Sequence, residues 1–423
     1  MKKVLKVTVA ILVAGLMVFS IAACKKSESA VSGDGSGELK GELKFAFWDS
    51  NQEIGLVTQA AAFMKMHPNL KITVETTPWA EYWTKMQAAA SSGNLPDVFI
   101  MHPEQVKMYA RGKTLMDLTP ILDQLDLTKY PDYIVKDFYI DGKQWATPKD
   151  VGTMGFYYNK DIFDAAGYPY PTNDWTWDDL KKAAAALTNK SKGIYGICAP
   201  NNGQNYYWNI VWANGADYFA PDGTCIMDTP EHIEAMEFAI SFIKDGYSPT
   251  VQDFTTMTQE EYFQSGRAAM IYNGGWMLNQ YLAIDGLNFD CIETPKGKQR
   301  GAIASGMGYS ISAATKNANA ARAFVVWLGT REAQLIQAET GICVPVYEGT
   351  AQPWVEHFPQ VDASPFVKAI QYGHLTVGFN TTTEESVIVN EIMPEIFDFQ
   401  ISVADGMKEI TRRINAMGTE RSK

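Results

Sequence analysis

The chain lacks the signatures of several familiar catalysts. Its five histidines, His67, His102, His232, His357 and His374, show no HExxH or other metal-ligand spacing, and neither a GxSxG elbow nor a GxxxxGK[ST] phosphate loop occurs. A catalytic metal, a serine-hydrolase nucleophile and a nucleotide cradle are therefore not expected, and no cofactor is expected. Basic charge is scarce: 36 Lys and Arg stand against 48 Asp and Glu, a formal charge of −12. Nucleic acid and anionic lipid both need basic patches, which argues against either as a direct partner. Cysteine is sparse, five in 423 residues, with no zinc spacing. No internal repeat is found.

What is present begins with an address. Lys2, Lys3 and Lys6 precede an uncharged, mostly apolar run over residues 7–23, too short for a spanning helix and suited to a secretory leader. Ile21-Ala22-Ala23-Cys24 ends it, and residues 1–23 are expected to be a signal peptide. Without the leader's three lysines the body carries −15, three below the whole-chain value of −12. Residues 25–38 are Ser, Gly and small or charged residues with nothing to bury, so a flexible tether of roughly 20 Å reach is expected. Outside the cytoplasm disulfides are permitted, and Cys198, Cys225, Cys291 and Cys343 allow three pairings or free buried thiols.

The body alternates strands and helices. Strands are predicted over 43–48, 70–76 and 95–100, with helices over 54–66 and 79–90; the first helix carries Ile54, Val57, Ala61 and Met64 at helical spacing. This pattern implies a largely parallel, doubly wound α/β sheet, whose ligands sit beyond the carboxyl ends of strands. Trp48, Asp49, Trp79, Met101, His102 and Glu104 occupy those ends. At 423 residues two domains are the default. The run 145–160 reads as the crossing between them: a hairpin turn at Asp141-Gly142, then a strand into Pro148, a loosened stretch containing Gly152 and Gly155, and a buried strand, with Asp150 near the seam. Further on, Thr176 with Asp179 and Thr258 with Glu261 read as helix starts, and the Gly-rich run 301–308 reads as loose chain before a strand.

Trp48, Trp79, Trp145, Trp208 and Trp276 fall at predicted strand ends or loops. Aromatic faces beside Asp, Asn and His suit a sugar, whose C–H patches stack while its hydroxyls hydrogen-bond. Trp83 and Trp327 lie on helical apolar faces and are assigned to the core. Among the histidines only His102 is a ligand candidate; the others are expected at the surface. Asp49, Asp97, Asp150 and Glu104 could instead serve as acid and base of a secreted glycan-processing enzyme. Hydrogen bonding to a ligand is favoured over that reading, and a non-sugar solute is a third.

Several motifs together resemble the extracellular carbohydrate-binding proteins of ABC importers, of which maltose-binding protein is the familiar shape. They are the Cys24 motif, which is similar to a lipobox; Pro96-Asp97-Val98; Tyr109-Ala110-Arg111-Gly112 leading to Leu118-Thr119-Pro120; Tyr158-Asn159-Lys160-Asp161; and Gly274-Gly275-Trp276. The resemblance implies two α/β lobes joined by three crossing segments, a periplasmic-binding-protein-like fold, with 41–149 plus 303–342 in one lobe and 150–302 plus 343–417 in the other. It further implies lipidation at Cys24, with 24–40 as lipidated residue and tether, attachment to the outer face of the bacterial membrane, a permease partner, a monomer, and capture without catalysis. Carried across, the ligand-binding set becomes Trp48, Asp49, Trp79, Met101, His102, Glu104, Asp150, Asn205, Tyr206, Trp208, Gly275, Trp276 and Met307. Gly152 and Met101 depart from the residues of a maltose binder, so maltose itself is not implied.

Overall fold

A computed structural model describes residues 38–375 and 384–418; the expected leader, Cys24 and most of the tether lie outside them. Eleven strands are found among the described residues: β1 (Gly41–Phe47), β2 (Leu70–Thr76), β3 (Val98–Met101), β4 (Tyr139–Ile140), β5 (Lys143–Gln144), β6 (Thr147–Asn159), β7 (Met270–Gly274), β8 (Phe289–Ile292), β9 (Ala302–Ile311), β10 (Val344–Pro345) and β11 (Gly373–His374). β4 and β5 form a separate hairpin, turned by Asp141 and Gly142, both at positive φ as a two-residue turn of this kind requires.

The long sheet runs β10-β6-β9-β3-β1-β2. β1 lies between β2 and β3 and is parallel to both, as the alternating pattern implies, while β9 and β6 join antiparallel. Along this path only the β2-β1-β3 part is parallel, because the crossing strands run back through the sheet; off the path, short β11 lies parallel to β9. β6 is the spine. Thirteen residues at about 3.4 Å each reach roughly 44 Å, enough to serve both halves: Thr147 to Thr153 pair with β9, and Met154 to Asn159 pair with β7 and β8. The expected loosened loop is thus absent. Gly152 and Gly155 are ladder positions, and the Gly-rich run before Tyr309 is itself strand β9. The one irregularity in the β6–β9 ladder lies between Pro148 and Asp150, where proline supplies no amide donor.

Two lobes of mixed α/β structure flank this spine. The first is built on a core that includes Phe45, Leu56, Phe63, Ile100 and Phe324, joined by an aromatic-rich group around Tyr82, Phe99 and Tyr109. The second packs Phe156, Leu180, Trp212, Met236 and Tyr272, with Tyr157, Phe263 and Phe366 in a neighbouring cluster. Helix α1 (Glu53–Met66) matches its predicted span but is turned the other way: Leu56, Gln59, Ala60 and Phe63 are buried, whereas Ile54 is 62% and Val57 43% exposed. Helix starts at Thr176 and Thr258 carry the reciprocal side-chain and backbone bonds of a capping box. All four described cysteines are buried.

Candidate functional site

Beyond the carboxyl end of β1, the chain breaks at Asp49, whose side chain caps a short helical turn. That turn, the start of α2 (Trp79–Ser92) and the start of α3 (Pro103–Arg111) form one wall of a cleft. The cleft holds about 400 Å³ and is lined by Trp48, Asp49, Asn51, Gln52, Trp79 and His102 from this side. Asp150, Gly152, Met307 and Cys343 form its floor on the crossing segments, and Asn202, Gln204, Asn205, Trp276 and Met277 form the opposite wall. A few aromatic faces with convergent polar groups, in a recess of this size, make a small-molecule site.

The first wall is an aromatic cluster. Trp48 meets Trp79 edge-on at 5.3 Å between ring centroids and Tyr82 at 5.2 Å, and Trp79 meets His102 at 5.7 Å. His102 caps α3, its Nδ1 accepting from Glu104 N–H at 3.3 Å. Burial depresses its pKa to about 4, against the opposing pull of the Asp150 carboxylate. The ring is therefore neutral at pH 7, the proton sits on Nε2, and the 3.9 Å approach of Glu104 is not an ion pair.

The opposite wall offers one flat ring. The Trp276 indole lies against the backbone of Gly152 and Gly274; a Cβ on Gly274 would come within 2.1 Å of the ring, and one on Gly152 within 3.4 Å. Two adjacent strands thus supply a bed without side chains, which explains the Gly-Gly-Trp run. Asn202 caps the widely wound turn that begins at Gly203, accepting from Asn205 N–H at 2.9 Å, so amides are presented beside the indole. At one edge the walls touch, Asn51 Nδ2 donating to Gln280 Oε1 at 3.5 Å.

The floor is ionic and buried. Asp150 is 2% exposed; its Oδ1 accepts from Met307 N–H at 3.1 Å and its Oδ2 from Lys149. Among the described residues no group of three or more His, Cys, Asp or Glu is gathered as a metal ligand set.

Of the residues singled out from sequence, Trp48, Asp49, Trp79, His102, Asp150, Asn205, Trp276 and Met307 line this cleft. Glu104 and Trp208 line an adjoining recess of about 360 Å³, which shares Asn202 and Gln204 with it. Burial pushes the Glu104 carboxyl up to about 7, although 39% of its side chain meets water. Met101 is fully buried in strand β3, on the core side of its pleat. Tyr206 is fully buried, its hydroxyl donating to Ala239 O at 2.8 Å. Gly275 is closed off by Trp354 and Phe366. Trp145 is also turned away, its Nε1 donating to Ile140 O at 3.0 Å. Two further placements differ from expectation: His232 is fully buried, and His374 stacks on Trp212 at 4.7 Å. Asn51, Gln52, Asn202, Gln204, Met277 and Cys343 were not anticipated; the amide-rich run 201–205 was the available signal for two of them.

A two-lobed α/β fold with crossing strands and a solute-sized cleft between its walls defines a binding protein of the periplasmic type. The chain belongs to the bacterial extracellular solute-binding protein family, which matches residues 50–335. It is 27% identical over 364 residues to a galactooligosaccharide-binding protein of Bacillus subtilis (strain 168), spanning 83% of each chain. A putative binding protein of Brucella abortus (strain 2308) is 25% identical over 223 residues, 52% of this chain and 54% of that one, so the chain spans about half the length of that relative. Among solved structures, the substrate-binding protein Lmo0181 from Listeria monocytogenes in complex with cycloalternan superposes with a TM-score of 0.82 at 25% identity, over 89% of this chain and 99% of that one.

Proposed function

We propose that the protein captures a mono- or oligosaccharide between its two lobes and hands it to the permease of an ABC importer, without turning it over. The observation that carries this reading is the cleft itself: an indole laid flat on glycine backbone faces an edge-packed aromatic cluster, with Asp49, neutral His102, Asn205 and buried Asp150 around them. Rings can hold the C–H faces of a sugar while the polar groups sort its hydroxyls. The lobes comprise 41–149 plus 303–342 and 150–302 plus 343–417, and rotation about the crossings would close the cleft. The adjoining recess extends the space available, which favours an oligosaccharide. Relatives named for galactooligosaccharide, arabinooligosaccharide and diacetylchitobiose support this class. The leader and the Ile21-Ala22-Ala23-Cys24 ending support export and lipid anchoring at Cys24, with the body acting as a monomer outside the membrane; no helix among the described residues is long and apolar enough to cross one.

A panel of neutral mono- and oligosaccharides read by thermal shift and calorimetry is expected to give stoichiometric stabilisation by at least one member, with no product released. Silence across the panel, together with binding of an amino acid, peptide or polyamine, overturns the reading. Release of shorter sugars from an oligosaccharide would favour the glycan-processing alternative.

A further inference from the structure

Strand β6 places two charged side chains where plain pleating would separate them. Successive strand residues point to opposite faces, yet the Lys149 ammonium touches the carboxylate of Asp150, and both are buried. The irregular register explains it: Pro148 pairs with Gly308 and Asp150 with Met307, leaving Lys149 as the extra residue of a bulge, and a bulge re-aims a side chain. The Lys149 backbone oxygen is held from the other side by Gln334 Nε2 at 2.8 Å and Gln337 Nε2 at 3.1 Å. Its Nζ donates to Gln52 Oε1 at 2.8 Å, to Cys343 Sγ at 3.1 Å and to Asp150 Oδ2. An ammonium has three N–H donors and nothing to accept with, so the set is complete. Burial disfavours this cation, but the adjacent Asp150 carboxylate prevails and holds the pKa above the ordinary lysine range.

A pure donor dictates the orientation of what it meets. Gln52 must turn its oxygen toward Lys149, which turns its NH2 toward Asp49, where it donates to Oδ2 at 3.1 Å. Asp49 Oδ1 accepts from Asn51 N–H at 2.9 Å. We propose that Lys149 and Gln52 are positioning residues for the cleft: the buried ammonium sets the Gln52 amide, and the amide locks Asp49 as an acceptor for sugar hydroxyls. This rests on the saccharide reading above. It also narrows the ligand class. The floor cation is spent on three protein acceptors, so the cleft offers carboxylate acceptors without a free positive charge, which fits an uncharged polyol and disfavours an acidic or phosphorylated sugar.

The test uses Gln52→Met, which keeps side-chain length and removes both hydrogen-bonding ends, with Asp49→Ala and the double variant. Calorimetry is run with maltotriose, galactotriose, arabinotriose, diacetylchitobiose and trigalacturonate. For a neutral sugar that binds the wild type, Gln52→Met is expected to weaken affinity about tenfold, the scale of a hydrogen bond to a charged group. Asp49→Ala is expected to weaken it further, and the double variant is expected to match Asp49→Ala, because Gln52 acts through Asp49. Losses that multiply, or trigalacturonate binding more tightly than every neutral sugar, overturn the proposal. The sugar-free protein gives a separate readout: the urea midpoint shifts of the two single variants should fall short of adding in the double. Additive shifts overturn the relay whatever binds. Silence of every sugar together with binding of an amino acid, peptide or polyamine, and with non-additive midpoints, removes the saccharide reading and leaves the relay standing.

Discussion

The two walls of the cleft achieve rigidity by opposite means. On the first, side chains brace one another: Trp48 contacts Trp79, Tyr82, Trp83 and His102, and each ring is held by the edges of its neighbours. On the second, a single indole is braced by the absence of side chains, lying on Gly152 and Gly274. A cluster held by many contacts should tolerate loss of one member. A ring seated on bare backbone should fail when the bed is filled. The first wall also contains a buried imidazole, His102, whereas the second presents amides. Acid should therefore act on the first wall alone.

That last contrast predicts the largest effect. His102 has its pKa depressed from 6.5 to about 4 by burial. Between those values the unfolded chain binds a proton that the folded wall refuses, so its contribution to stability is intact above about 6.5 and is lost as pH falls through about 4. The slope approaches roughly 1.4 kcal/mol per pH unit for one such group. His232, buried beneath Tyr218 in the second lobe and also depressed to about 4, adds a similar term away from the cleft. The Glu104 and Asp137 carboxyls, pushed up to about 7 by burial, act in the opposite sense by taking up protons on folding, so the histidine term is read as a difference: urea unfolding of the wild type and of His102→Asn is expected to diverge progressively from pH 7.5 to 4. His102→Asn, which preserves an acceptor at the start of α3, should remove about half of the histidine slope; an unchanged slope would mean that the first wall is not acid-sensitive.

Next in size is the bed of the second wall. Gly274→Val places atoms where the Trp276 ring now lies, and overpacking of this kind costs about 1–3 kcal/mol. The variant is expected to melt lower and to lose sugar binding together, because the indole must leave the cleft surface. Trp276→Ala removes the ring without the clash, and is expected to weaken sugar binding by about 1–3 kcal/mol while the lobe remains folded. Calorimetry and thermal melts on the two variants separate these outcomes. Unchanged affinity in folded Trp276→Ala would take this ring out of the site.

The same contrast marks what could be read from the chain. Trp276 after Gly274-Gly275, Asp150 after Pro148, and the rings just past β1 and at the start of α2 were legible because special residue types sit at element boundaries. The facing of α1 was not, since Leu56, Ala60 and Phe63 form an apolar stripe as good as that of Ile54, Val57, Ala61 and Met64, and only tertiary packing chooses between them. Met101 and Tyr206 were misplaced for a related reason: each lies one residue from a cleft-lining neighbour, His102 or Asn205, and periodicity within one residue of an element's end does not say which side chain faces outward. Lys149 lies within the run 145–160, where nothing local gives it a role. Its role depends on a one-residue register shift against β9, some 160 positions away, which no local pattern reports. Gln52 was hidden for the same reason, being defined by a lysine that lies 97 residues further on.

The smallest effect is the one that most directly sets the two walls apart. Trp79 is 50% exposed and packs by its edges against Trp48, Trp83 and His102. Removing it deletes one contact from a cluster in which Trp48 still touches Tyr82, Trp83 and His102. A half-exposed ring contributes only part of the transfer energy of a buried one, so Trp79→Ala is expected to cost about 0.5–1 kcal/mol in affinity, below the loss at Trp276. Little change in melting temperature should accompany it, because its exposed face gains nothing from folding. Titration of both alanine variants with the same sugar decides the matter. A loss at Trp79 equal to or greater than that at Trp276 would show that the first wall, rather than the glycine-bedded indole, is the principal stacking surface.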